Sequence, residues 1–285
     1  MTRQRMAYER VQMARDKDRP KITDYISSIF TDFLELSGDR KGGEDRAVLG
    51  GIALLEGRPV TVIGHRKGRT LQENLSCRFG MASPEGYRKA FRLMKEAEKF
   101  RRPVITFIDT PGAYPGMEAE EHGQSAAIAE NLAMMSALKV PTVSIVTGEG
   151  SSGGALAIGV TDEIWMLENA VYSILSPEGF ASIIWKDSGK ADQAASLMHL
   201  TAGELYDSGI VDRVISEGDG IRKAFPKICG EIRRELVRTI GRLEAEGDAL
   251  TEHRYEKYRH IEGSLAPFVP GAAGTEGGTS EGAAL

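Results

Sequence analysis

The residues best suited to chemistry lie in one segment, Thr147-Gly148-Glu149-Gly150-Ser151-Ser152-Gly153-Gly154-Ala155. An apolar, β-branched run leads into it and small residues lead out, so a strand is expected to pass into a helix here. The first N–H groups of a helix lack partners within it and lie at the positive end of its dipole, which suits an oxygen anion. Glycine lets such a ligand approach the main chain closely. Three chemistries fit. Gly148, Gly150 and Gly153 satisfy G-x-G-x-x-G, and Glu168 follows about 20 residues after Gly148, as in a dinucleotide site. That fingerprint ordinarily opens its fold, whereas strand–helix units precede it here. Gly150-Ser151-Ser152-Gly153-Gly154 satisfies G-x-S-x-G, with Ser152 as nucleophile and His199 or His253 as base. Third, the peptide N–H groups of Gly153 and Gly154, or of Ala155, would form an oxyanion hole with no protein nucleophile. A Walker phosphate loop is excluded, because it requires G-K-[ST] and the chain reads Gly154-Ala155-Leu156.

Other candidate chemistry is sparse. His65, His122, His199, His253 and His260 form no H-E-x-x-H, and Cys77 lies far from Cys229, so no metal site is expected. Glu118, Glu120 and Glu121 read as carboxylates favouring the dipole of a following helix. Asp109, at a strand end, reads as catalytic or as a turn cap. His65-Arg66-Lys67-Gly68-Arg69 is a cationic patch just past a strand, fit for cofactor phosphates or simply for solvent. Thr110-Pro111-Gly112-Ala113-Tyr114-Pro115-Gly116 is a turn-rich loop at a strand's C-terminal end, the edge where parallel α/β folds bind ligands.

The elements that must position these groups follow from pattern. Residues 1–20 are polar and basic, with Arg3, Arg5, Arg10, Arg15 and Arg19, and read as a short surface helix. Ile22, Ile26, Ile29, Phe30 and Phe33 share a stripe that predicts a helix over 21–36. Two β-branched runs separated by Glu56-Gly57 predict a hairpin over 47–65. A helix opens at Pro84, and strands are expected at 104–109, 142–147, 163–167 and 172–176, with helices near 122–138 and from Pro177. Residues 201–215 read as helix, Gly209 cap and strand, and 220–262 as helix. Such alternation implies an α/β protein with parallel pairing and right-handed crossovers. The division expected is an N-terminal helical segment at 1–45, a main domain at 46–262 and a disordered tail at 263–285, rich in Gly, Ala, Ser and Thr. A net charge of −5 argues against general nucleic-acid binding. Two cysteines fit a reducing compartment, the N-terminus lacks a signal-like apolar core, and no apolar run would span a membrane, so a cytoplasmic protein is expected.

The segments SGDR, GGIALLEGRPVTVIGHRKG, FGMASPEGYRKAFRLMKEAEKFRRPVITFIDTPGAYPGMEAEEHGQS, KVPTVSIVTGEGSSGGALAIG and YSILSPEGFASIIWKD strongly resemble the carboxyltransferase alpha subunits of bacterial multi-subunit acetyl-CoA carboxylases. The resemblance runs from about residue 8 to 240 and is far more specific than any short motif. It implies a crotonase-like (ClpP/crotonase) spiral of ββα units with peripheral helices. It implies transfer of a carboxyl group from carboxybiotin, borne on a biotin carboxyl carrier protein, to acetyl-CoA, giving malonyl-CoA for fatty-acid synthesis. The expected partners are a beta subunit in an alpha2beta2 assembly, the carrier protein and biotin carboxylase. ATP is used elsewhere in that carboxylase and the zinc ribbon belongs to beta. The family's oxyanion hole for the biotin ureido carbonyl falls on Gly153 and Gly154. Ala155, Gly112, Ala113, Tyr114, Pro177, Glu178 and Gly179 match segments near the carboxybiotin pocket, and Arg66 and Lys67 are candidates for the coenzyme A phosphates. Where the family pattern has glycine, this chain has Ser151, so a positive φ at Ser151 would strain the loop. Another crotonase-fold acyl-CoA enzyme, or a non-catalytic scaffold subunit, is the alternative.

Overall fold

Runs of β-branched and aliphatic residues form eight strands in the computed structural model, which describes residues 6–264. They are β1 (Thr31–Glu35), β2 (Val48–Leu55), β3 (Arg58–His65), β4 (Val104–Thr110), β5 (Thr142–Ser151), β6 (Glu163–Leu167), β7 (Val171–Ser173) and β8 (Arg213–Ile215). One sheet results, in the order β1-β2-β3-β4-β5-β6-β8, with β7 added beside the far end of β5. The first two pairings are antiparallel and the others parallel, as the alternation predicts. The β2–β3 hairpin closes through Glu56 and Gly57, both at positive φ (48° and 79°), the conformation that matches strand twist in a two-residue turn. Every residue of β4 and β5 is buried, because helices cover both faces of this parallel centre.

The helices are α1 (Ala7–Ala14), α2 (Ile22–Ile29), α3 (Leu71–Ser76), α4 (Pro84–Lys99), α5 (Met117–Glu121), α6 (Gln124–Ala137), α7 (Ser152–Leu156), α8 (Pro177–Trp185), α9 (Ala191–Leu197), α10 (Ala202–Asp207), α11 (Ile221–Ala245) and α12 (Leu250–Ser264). One expectation is corrected. The helix expected over 21–36 stops at Ile29, and the chain turns extended at Phe30 (φ −116°, ψ 164°) to become β1. The free edge of β2 supplies the reason. Gly51 pairs with Glu35, and a side chain on Gly51 would collide with the Leu34 carbonyl. The helix expected near 122–138 is α6, and a further short helix, α5, precedes it across Gly123, which takes φ 82°. Glu118, Glu120 and Glu121 lie ahead of α6, as expected, and themselves form most of α5. The 263–285 tail falls outside the described residues from 265 onward, and α12 runs to Ser264.

Helix α2 packs into the main core. Ile22, Tyr25, Ile26 and Ile29 of α2 join the sheet's cluster, and Tyr25 stacks on Phe107 of β4 at 5.5 Å. Nor are residues 6–20 a purely surface stretch. Val11 and Ala14 of α1 pack with Val171, Ala195 and Leu200 in a second small core. Arg19 is 2 % exposed and donates to both carboxylate oxygens of Glu217 (2.7 and 3.1 Å) and to the Thr147 carbonyl. Cys77 and Cys229 are free and buried.

Candidate active site

Parallel pairing brings the C-terminal ends of β3, β4 and β5 to one lip. The β4–β5 register slips there, so that Thr110 faces Gly150 and Asp109 is left over. Its Oδ1 accepts the Glu149 N–H at 3.1 Å and a 2.6 Å bond from Lys67 Nζ. Asp109 thus serves as a turn cap that prolongs β5, whose last residues pair with β7. The segment read as a loop over 148–154 is strand as far as Ser151. Gly148 and Gly150 lie inside that strand, where a side chain would meet Asp109 and Tyr172 respectively. Glu168 accepts bonds from Ser216 and the Glu217 N–H, closing a turn instead of facing a ribose. The dinucleotide pattern is therefore a by-product of strand packing.

The chain reverses at Ser152, whose φ is 58°; Ser151 is extended at φ −123°. Strain was expected at Ser151 but sits one residue later, because pairing with Ser173 carries β5 through Ser151. A left-handed serine costs on the order of 1–2 kcal/mol. Among the described residues no turn, cap or side-chain hydrogen bond takes up the N–H of Gly153 or Gly154, and Ser151 makes no side-chain cap. Ser152 is exposed, Gly153 half-buried and Gly154 buried, so the pair runs from solvent inward. Since α7 has only five residues, local N–H donors matter here more than a macrodipole. The two bases expected for Ser152 are engaged elsewhere. His199 pairs with Glu204 (3.4 Å) and His253 with Glu246 (2.8 Å), both largely exposed.

Glycine is required at 154 by close packing. A Cβ there would lie 2.5 Å from the Ala113 nitrogen and 2.6 Å from the Gly112 carbonyl carbon. At Gly153 a Cβ would meet only Ile128, at 3.6 Å, so space does not dictate that glycine. The Thr110–Gly116 loop is thereby brought against the amide turn as one wall. Thr110 Oγ1 donates to the Gly112 carbonyl and accepts the Gly112 N–H, the Tyr114 N–H donates to the Ala82 carbonyl, and Gln124 donates to Ala82 and Tyr114 carbonyls. Arg78 stacks over the Tyr114 ring, 4.9 Å from its centre. Ala155 is buried with its side chain in the core. Pro177, Glu178 and Gly179 form the first turn of α8, where Ser176 Oγ accepts the Gly179 N–H at 3.1 Å.

Charged groups line the base of the lip. Burial alone would raise the Asp109 carboxyl, but Lys67, the Glu149 N–H and Lys21 hold it below the ordinary aspartate range. His65 is buried alongside the Gly154 main chain, yet neither ring nitrogen makes a well-formed hydrogen bond. Burial pushes its pKa down to about 4, so it is neutral near pH 7. Arg66 pairs with Glu35 at the rim (3.1 Å), whereas Lys67 turns inward to Asp109. Arg15 donates through Nε to Glu149 (2.9 Å) and through Nη1 to Glu178 (2.8 Å). Sequence reading passed over Arg15 and Glu149. The available signal was a carboxylate amid glycines and apolar strand residues, which needs a cation when buried. A cavity of about 900 Å³ lies at the opposite end of the strands, by Lys139, Pro141 and Leu250. Among the described residues no group of three His, Cys, Asp or Glu could hold a metal ion, and no helix is long and apolar enough to cross a membrane.

A family model described as acetyl co-enzyme A carboxylase carboxyltransferase-like matches residues 2–262. Acetyl-coenzyme A carboxylase carboxyl transferase subunit alpha of Shouchella clausii is 55% identical over 272 residues, 95% of this chain and 82% of its own length. The subunit of the same name from Clostridium acetobutylicum is 53% identical over 256 residues, 89% and 93% respectively. Among solved structures, the transcarboxylase 12S core superposes with a TM-score of 0.61 at 22% identity, over 77% of this chain and 44% of that one. The geranyl-CoA carboxylase beta subunit of P. aeruginosa gives 0.60 at 16% identity, over 89% and 45%. This chain therefore spans less than half of each structure, and the likeness, at the level of the crotonase-like carboxyltransferase fold, agrees with the fold expected.

Proposed function

The chain belongs to the acetyl-CoA carboxylase carboxyltransferase family, as an alpha subunit of a biotin-dependent transferase, and on that footing we propose that the Gly153–Gly154 turn is its oxyanion hole. The observation that carries this is a pair of adjacent amides without acceptors among the described residues, held in place by Gly154 packed against Gly112 and Ala113. The family reaction gives malonyl-CoA from acetyl-CoA and carboxybiotin, whose ureido ring supplies the transferable carboxyl. The N–H groups of Gly153 and Gly154 donate to the ureido oxygen, where negative charge grows as the carboxyl leaves. Fixed donors of this kind need no reorganisation during reaction, and losing one typically costs about 10²–10³ in rate. Ala155 backs the turn, Gly112, Ala113 and Tyr114 form one wall of the carboxybiotin pocket, and Pro177, Glu178 and Gly179 form the facing wall. Arg66 is the rim cation for coenzyme A phosphates, while Lys67 serves Asp109.

In this reading the proton acceptor is the substrate's own ring nitrogen. The site opens outward rather than into a closed pocket. Ile174, Ile183 and Ile184 are exposed next to it (77%, 61% and 55%), which supports completion by a beta subunit in an alpha2beta2 assembly. Carboxybiotin comes on the carrier protein after its ATP-dependent loading by biotin carboxylase, in the cytoplasm; ATP does not bind here. Mixing the chain with malonyl-CoA and biocytin, with and without a beta subunit, tests the reading. Turnover is expected only with beta. Turnover by the chain alone, or none in the mixture, contradicts it.

A further inference from the structure

Resting on that reading, we propose that Arg15 is a positioning residue that fixes the distance between the strand carrying the amide turn and the α8 wall of the site. Its guanidinium is one-third exposed and touches two carboxylates from different elements. Nε and Nη2 both reach Glu149 Oε1 (2.9 and 2.7 Å), while Nη1 and Nη2 reach Glu178 Oε1 and Oε2 (2.8 and 3.3 Å). Glu149 lies on β5, three residues before the reversal at Ser152. Its side chain is only 8 % exposed and its N–H is already held by Asp109, so the strand is gripped from both sides. Glu178 lies in the first turn of α8, and the Tyr8 hydroxyl also reaches it (3.4 Å). Burial alone would raise its carboxyl, but the Arg15 hydrogen bond holds it down.

Among the described residues no neighbouring cation duplicates this link, because Lys67 is engaged by Asp109 and Arg19 by Glu217. A planar fork can hold two carboxylates at fixed separation, whereas a lysine ammonium on a flexible stem cannot set that geometry. Arg10 provides an internal control. It lies on α1, just ahead of Arg15, and donates to the Glu168 carbonyl and to Asn169 Oδ1, touching neither the amide turn nor α8.

The test uses the complete chain assembled with a beta subunit, assayed for carboxyl transfer between malonyl-CoA and biocytin. Arg15→Gln and Arg15→Lys are expected to lower kcat on the order of 10–100-fold, the scale of a misplaced reacting group. KM for the acyl-CoA should change by less than about threefold, since uniform binding is not removed. Arg10→Gln should keep kcat within about twofold even if it loosens α1, since no transition-state contact is touched. Arg15→Lys keeps a positive charge beside Glu149, so it remains informative if Arg15→Gln assembles poorly. Guanidinium added to Arg15→Gly should restore part of kcat. Full kcat in Arg15→Lys, or an equal loss in Arg10→Gln, overturns the proposal. An assembled wild-type enzyme with no transfer at all overturns instead the assignment of the amide turn, and this inference with it.

Discussion

Two arginine–carboxylate systems sit at opposite ends of the strands and are used differently. At the N-terminal end, Arg254 is 1 % exposed and fully engaged: Nε and Nη2 hold Asp162 (2.7 and 2.9 Å), and Nη1 holds the Met135 and Leu138 carbonyls (2.7 and 2.8 Å). Asp162 in turn accepts the Thr142 N–H that starts β5 (2.7 Å). That end closes the C-terminus of α6, whose last carbonyls would otherwise lack partners. At the C-terminal end, Arg15 and Asp109 grip the strand, but the two amides just beyond it find no acceptor among the described residues. The contrast separates a saturated clamp from a site, where donors are held rigid and kept open for something that arrives later.

The contrast can be broken by crossing the two ends. The largest effect is expected for Arg254→Ala, which strands a buried carboxylate and should lower stability by about 3–5 kcal/mol, read from denaturant unfolding. A loss below about 1 kcal/mol would remove the clamp from the account. Gly154→Val should drive the Gly112–Ala113 wall off the turn and lower turnover about 10²–10³-fold, with beta binding retained in sedimentation. Unaltered malonyl-CoA formation would dissolve the distinction between the ends.

His65 sharpens the comparison through pH. Its folded pKa, about 4, lies below its unfolded value, so the unfolded chain binds the extra proton between them. Stability should therefore fall as pH drops from about 6.5 to about 4, by roughly 3 kcal/mol from this group. His65→Asn should flatten that part of the curve, and an unchanged slope would mean the imidazole is not the group titrating. The smallest effect is expected at the reversal itself. Ser152→Gly relieves a left-handed serine and should raise the unfolding midpoint by the equivalent of about 1 kcal/mol; a lower midpoint would show that the serine side chain stabilises the turn.

Much of the framework was legible because its signals are local. Glu56-Gly57 between two β-branched runs marks the hairpin, and the apolar runs at 104 and 142 become buried parallel strands. Strand β1 was not, since Phe33 fits the helical stripe of Ile26 and Ile29 as well as it fits a strand, and the decision belongs to the open edge of β2. The short helix α5 ahead of Gly123 was missed because five residues carry too little periodicity to mark a helix. At the site, the two glycines were legible through resemblance to a family, and the 110–116 loop through its place at a strand end. The exchange of Ser151 for Ser152 as the strained residue depends on how far β7 pairs along β5, which is a long-range matter. The inward turn of Arg15 and Arg19 escaped because composition gives charge without direction; only the buried Glu149 and Glu217 reveal where those cations must point.

The central claim concerns two N–H groups, and the most direct test is a crystal structure of the chain assembled with a beta subunit and biocytin. The account predicts the ureido oxygen about 2.7–3.1 Å from both the Gly153 and Gly154 nitrogens. A ureido ring bound elsewhere, or those amides closed by protein acceptors in the assembled enzyme, would contradict it.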